Sequence, residues 1–251
     1  MSEVRITPLE MNKEEFREIG YRLIDMISTF LSTIRDNPVT HGEAPRDLQK
    51  LLGNSSLPET GKPASEILAT AADLMMNHSL FNGHPRFLGY ITSSAAPIGA
   101  LADLLASAIN SNVGAQILSP VATEIEKQTV RWLAEFIGVD SDYGGVLVSG
   151  GNMANITAFL AAVTEKAPEN FKEAGLSGLP KKLLVYCPKT THTWIEKAAM
   201  LSGLGSGSIR WIKVDGRNKM DTRLLEKTIQ DDLKQGFQPI MVIGTAGDVS
   251  T

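Results

Sequence analysis

The 251-residue chain is 43% hydrophobic and 21% charged, the balance of an ordinary globular domain with enough length to bury a sizeable core. Its formal charge of −4 offers no electrostatic attraction to nucleic acid or to an anionic membrane surface. Cys187 is the lone cysteine, which excludes an internal disulfide and a cysteine-built metal cluster. With no apolar run long enough to span a bilayer and no signal-peptide core after Met1, the expected location is the cytoplasm.

Asn12 caps an expected long amphipathic helix, with Glu15 three residues on. Its stripe is Phe16, Ile19, Leu23, Ile27, Phe30 and Ile34, and Asp36-Asn37-Pro38 ends it. Such a stripe fits packing against a second subunit or against its own domain. Residues 38–63 are rich in Pro, Gly, Asn and Ser and read as a connecting loop, with a second helix from Pro63 to Met76. The mixed aromatic and polar stretch Asn82–Ser94 has the composition of a pocket-lining loop or of a packed structural one. Pro97–Ile109 is apolar nearly all round and reads as a buried helix. Ser119-Pro120 starts the next helix, with a capping hydroxyl and a stripe of Val121, Ile125, Trp132, Leu133 and Phe136.

From Gly145 the pattern alternates. Strands are expected at Val146–Val148, Lys182–Tyr186, Ile209–Val214 and Pro239–Gly244, with helices at Asn152–Thr164, Thr193–Leu201 and Asp221–Leu233. That alternation means an α/β fold with a mostly parallel sheet covered on both faces, whose ligands sit beyond the carboxyl ends of the strands.

Ser149-Gly150-Gly151 makes a tight turn between strand and helix, and Asn152 opens the helix. Glycines let backbone amides close on a ligand, and a helix N-terminus presents unpaired N–H groups, so the turn suits a phosphate. The same turn also occurs for packing alone. His192 is held just outside the N-terminus of a helix that Thr193 and Glu196 cap as a box. There its neutral imidazole could stack on a flat ring, or it could be a solvated loop histidine. His41, His78 and His84 form no metal-ligand spacing, so no metal is expected. There is no Walker lysine, three-glycine dinucleotide turn or nucleophile elbow.

Five segments in order resemble the pyridoxal-phosphate-dependent group II amino-acid decarboxylases, over nearly the whole chain. They are His84-Pro85-Arg86-Phe87 with Thr92-Ser93-Ser94 and Pro97; Ser119-Pro120 through Glu126; Ser149 through Asn155; Thr191-His192; and Gly244-Thr245-Ala246-Gly247. The resemblance implies a fold-type-I, aminotransferase-like enzyme using pyridoxal 5'-phosphate, working as a homodimer with active sites between subunits. Residues 1–92 would be a helical dimerisation arm with the pocket loop, and 93–251 the first part of the large cofactor-binding domain. By the same resemblance Ser149, Gly150, Gly151 and Asn152 hold the cofactor phosphate, His192 stacks on its ring and serves catalysis, and Thr92 lies near the amino-acid substrate. Aromatic-substrate members carry a bulky residue a few positions before that threonine; Gly89 stands there, beside Tyr90, and leaves the substrate open.

In the family a strand bearing the Asp that pairs with the ring nitrogen comes next, and later the Schiff-base lysine. This sequence stops at Thr251 before either, so a first half of an enzyme, inactive alone, is the expectation. Two other readings stand beside decarboxylation: a sphingosine-phosphate-lyase-like enzyme of the same fold type, and a non-catalytic half that assembles with a second chain.

Overall fold

The computed structural model describes residues 10–54, 56–140, 142–167 and 171–247. The chain divides into two compact units, Met1–Leu104 and Leu105–Thr251.

In the first unit, α1 (Lys13–Thr33) begins where Asn12 takes an extended conformation and its side-chain oxygen accepts the Glu15 N–H at 2.9 Å. Glu14 and Glu15 in the first turn complement the helix dipole. Most of the predicted stripe is half-buried against α3 (Ala64–His78), although Phe16 is exposed. An apolar cleft of about 450 Å³ is lined by Leu23, Ile27, Phe30, Leu68, Met75 and Phe81. Phe30 and Phe81 meet edge to face at 5.1 Å. The supposed loop 38–63 contains a helix, α2 (Pro45–Leu52), started by a first-turn proline whose missing N–H costs the helix nothing. The residues just before α2 are tied to the end of α3, where His78 Nδ1 lies 2.7 Å from Glu43 Oε1. The helix α4 (Pro97–Ile109), which runs across the boundary of the two units, forms as expected but is not buried: Ile98, Leu101, Leu104 and Ile109 are exposed.

The second unit contains α5 (Pro120–Phe136), α6 (Gly151–Lys166), α7 (Phe171–Ala174), β1 (Leu183–Pro188), α8 (Trp194–Leu201), β2 (Ile209–Ile212), α9 (Thr222–Lys234) and β3 (Gln238–Val242). The three strands form a parallel sheet in the order β2-β1-β3. The chain leaves β1 for β2 on one side, then crosses back to place β3 on the other. Every residue of β1 is buried, and its side chains alternate between two cores. Leu183, Val185 and Cys187 pack with Phe159, Val163, Trp194, Ile195 and Ala198 from α6 and α8. Leu184 and Tyr186 join Ile212 on the other face, under Leu224, Leu225 and Ile229 of α9.

Three sequence expectations are corrected here. Val146–Val148 is not a strand, because no backbone among the described residues lies beside it to complete a ladder, and all three side chains are exposed. The Ser119 hydroxyl makes no capping bond; Ser119 is buried and its carbonyl accepts from Thr123 instead. The apolar stripe of α5 faces outward, with Val121 70% and Phe136 86% exposed, while the more covered face carries Ala122, Glu126 and Val130.

The α9 face also holds a buried polar cluster. Asp232 accepts from the Tyr186 hydroxyl at 3.0 Å and from Arg210 Nε and Nη2, each at 3.0 Å to one of its oxygens. The Arg210 guanidinium in turn lies over the Phe237 ring. Burial, then the Asp232 hydrogen bond and charge, push the Tyr186 hydroxyl far above its ordinary value of 10.0. A raised folded-state value means that the contribution of neutral Tyr186 is complete below about pH 10 and is lost as pH rises further. Stability in urea should therefore fall above pH 10, and Tyr186→Phe should flatten that fall while lowering stability by about 1 kcal/mol at pH 7. Asp232→Ala, which strands both partners, should lose about 3 kcal/mol or more in the same measurement.

Candidate functional site

The reversal of winding at β1 opens a crevice at the carboxyl end of the sheet, between the segments that follow β1 and β3. The Thr191 and Thr245 hydroxyls bridge those segments at 3.2 Å. Thr191 is buried, and it is also hydrogen-bonded to the Cys187 side chain.

His192 follows directly. Its Nδ1 accepts the Trp194 N–H at 3.2 Å, so the ring itself satisfies a first-turn donor of α8. The capping box expected from Thr193 and Glu196 does not form, since the Thr193 side chain makes no capping bond. A backbone donor on Nδ1 leaves the proton of neutral His192, an exposed residue, on Nε2.

The glycine turn reaches the same end of the sheet. The Lys166 carbonyl, at the C-terminus of α6, accepts from Gln238 Nε2 at 2.6 Å, and Gln238 is the first residue of β3. The helix is packed on β3 and α8, with Phe159 edge-on to Trp194 at 6.4 Å. Its 16 residues rise roughly 24 Å, so α6 runs back along the sheet and its N-terminus lies toward the carboxyl ends of the strands. Gly150 there has φ 91° and ψ 164°, a conformation open to glycine and strained for other residues. The first bond of the helix runs from Ala154 N to the Gly150 carbonyl, which leaves the N–H groups of Gly151, Asn152 and Met153 for a ligand or water.

These residues fit a phosphate. A Cβ added at Gly150 or Gly151 meets nothing within 4 Å, Ser149 and Asn152 are exposed beside them, and a helix dipole points outward. His192 adds a ring whose orientation is fixed by a backbone bond. Thr92 belongs to the first unit, exposed in the loop just after Tyr90, whose φ is 59°.

A residue-by-residue reading of the sequence did not single out a second feature of this edge. A polar cleft of about 380 Å³ is lined by Pro188, Thr190, Arg217, Lys219, Gly244 and Thr245, and neither His192 nor the glycine turn borders it. Its hairpin is ordered by Asp215, whose Oδ1 accepts from the Arg217 and Lys219 N–H groups; those two bonds hold its carboxyl below the usual range. The signal was present in Asp215-Gly216-Arg217-Asn218, a turn composition that periodicity alone does not interpret.

Comparison with known proteins decides what this arrangement is part of. The family model described as "Pyridoxal-dependent decarboxylase conserved domain" matches residues 45–251. The chain belongs to that family. It is 30% identical over 244 residues to the aromatic-L-amino-acid decarboxylase of Bacillus atrophaeus, covering 95% of this chain and 48% of the relative. It is 30% identical over 234 residues to the acidic amino acid decarboxylase GADL1 of Bos taurus, covering 93% and 44%. Among solved structures, Oryza sativa TDC with PLP and tryptamine matches with a TM-score of 0.83 and 25% identity, over 98% of this chain and 51% of that one. The chain thus spans about half the length of the relatives it matches. No helix among the described residues is long and apolar enough to cross a membrane.

Cys187 gives this edge a chemical reporter. Burial, opposed by the Thr191 hydrogen bond, pushes its thiol from 9.0 up to about 11. The folded protein should therefore resist a thiol-specific reagent at pH 8 and react stoichiometrically once unfolded in urea. The raised value also means that the neutral thiol's contribution to stability is complete below about pH 9 and is lost toward pH 11.

Proposed function

We propose that this chain is part of an enzyme that decarboxylates an L-amino acid to the amine and CO2, with pyridoxal 5'-phosphate as cofactor. The observation that carries the proposal is the open glycine turn, with its unpaired helix N–H groups, at the same end of the sheet as His192. Residues 1–92 act as a dimerisation arm with the pocket loop, and 93–251 form the first part of the cofactor domain. The enzyme works as a cytoplasmic homodimer; the exposed apolar faces of α4 and α5 support an assembly larger than one chain.

The Gly151 and Asn152 N–H groups, with the Ser149 and Asn152 side chains, bind and orient the phosphate at the positive end of α6. His192 would stack on the cofactor ring and exclude water from that face. With Nδ1 taken by the Trp194 N–H, its Nε2–H would be the group free to hold a proton beside the substrate carboxylate or Cα. Thr92 contributes a hydroxyl to the substrate. Pyridoxal phosphate, when bound, supplies the electron sink that lets the Cα–carboxylate bond break.

The two curated relatives act on aromatic and on acidic amino acids at equal identity, so similarity alone selects no substrate. The whole protein should release CO2 from one member of a panel of aromatic, acidic and imidazole amino acids. His192→Ala should lower that turnover by on the order of 100-fold or more. Near-normal turnover would remove His192 from the mechanism, and carbonyl products without CO2 would assign the enzyme to aldehyde-releasing lyases. In sedimentation velocity the protein should run as a dimer.

A further inference from the structure

The segment leading into the glycine turn is carried by α5. Glu126 Oε1 accepts the Leu147 N–H at 2.7 Å, and a Cβ added at Gly145 would meet Val130 Cγ1 at 2.7 Å. Glu126 and Val130 are four residues apart and so lie on one face of the helix, the more covered face. Two independent contacts therefore run along the same rail. Each has a chemical reason. Val146–Val148 belongs to no ladder among the described residues, so the Leu147 amide has a carboxylate as its partner in place of a strand. Glu126 in turn forms no ion pair among the described residues, whereas nearby Glu124 is engaged by Lys127 and Gln116. Val130 is β-branched and stiff at χ1, so it does not swing away from an added methyl group. Only glycine at position 145 lets the segment lie this close to α5.

Leu147 is two residues before Ser149 and three before Gly150. Fixing its amide fixes where the turn, and the free N–H groups behind it, stand relative to α5. A carboxylate repels a phosphate, so Glu126 has no direct part in binding one; its action passes through the backbone. We propose that Glu126 is a positioning residue for the phosphate-binding turn, its carboxylate holding the Leu147 amide while the Gly145–Val130 contact sets the approach of the segment. This rests on the reading that the Ser149–Asn152 turn holds the cofactor phosphate.

The test compares pyridoxal 5'-phosphate with pyridoxal, which has the same ring and no phosphate, in calorimetric titrations of the full chain. The unsubstituted protein should prefer the phosphorylated form. Glu126→Ala should weaken pyridoxal phosphate about tenfold and leave pyridoxal within about twofold, as expected for loss of one charge-assisted bond acting on the phosphate site. Glu126→Gln, whose side-chain carbonyl accepts the same N–H, should keep most of the preference. Hydrogen exchange at the Leu147 amide should quicken in Glu126→Ala and much less in Glu126→Gln. Gly145→Ala should reduce the preference as Glu126→Ala does, and Val130→Ala in the same chain should restore it. A full preference in both Glu126→Ala and Gly145→Ala overturns the role of the rail and leaves the phosphate reading standing. Equal affinity for the two compounds in the unsubstituted protein overturns the phosphate reading, and this proposal with it.

Discussion

The architecture of the second unit depends on a single buried strand. β1 has hydrogen-bonded neighbours on both sides and helices over both faces, so each of its six residues must be satisfied without water. Its main chain meets that demand through two parallel ladders, and its side chains do so by feeding one core under α6 and α8 and another under α9. The winding reverses at this strand. The loop after it is therefore not roofed by a crossover helix, and His192 follows the fully buried β1 as an exposed residue.

That placement explains why a histidine at a helix N-terminus can be a precise instrument. Its Nδ1 is spent on the Trp194 amide, so ring orientation and tautomer come from the backbone of α8. Trp194 is in turn pinned against Phe159 of the helix that begins with the glycine turn. The elements that carry the two candidate cofactor contacts therefore meet at one aromatic pair, although those contacts lie some 40 residues apart in sequence.

Much of this was legible in the sequence because the period of hydrophobicity is set by burial. The elements β1, α8 and α9 fall within a few residues of their expected ends, and the Asn12 cap operates as its side chain predicts. The glycine turn and His192 could be found because each joins an unusual backbone demand to a polar group. Sequence reasoning failed where an apolar residue was equated with a buried one. Val121, Ile125, Trp132 and Phe136 form a proper stripe, yet the second unit turns the opposite side of α5 inward. It failed again at Val146–Val148, since β-propensity is realised only beside a partner strand. Glu126 was invisible for a related reason: a glutamate in a helix reads as a solvated charge until the amide it meets is known.

The cluster of Tyr186, Arg210 and Asp232 limits how this sequence can drift. The three side chains come from β1, β2 and α9, and loss of Asp232 or Arg210 leaves the other's charge unpaired, whereas Tyr186→Phe leaves both Asp232 oxygens bonded to Arg210. A wholly apolar trio of similar volume could fill the same space at little loss, but every single-step route to it passes through an unpaired buried charge or an orphaned hydroxyl. Related chains should accordingly hold Arg210 and Asp232 together or not at all, so that these two distant positions are inherited as one character.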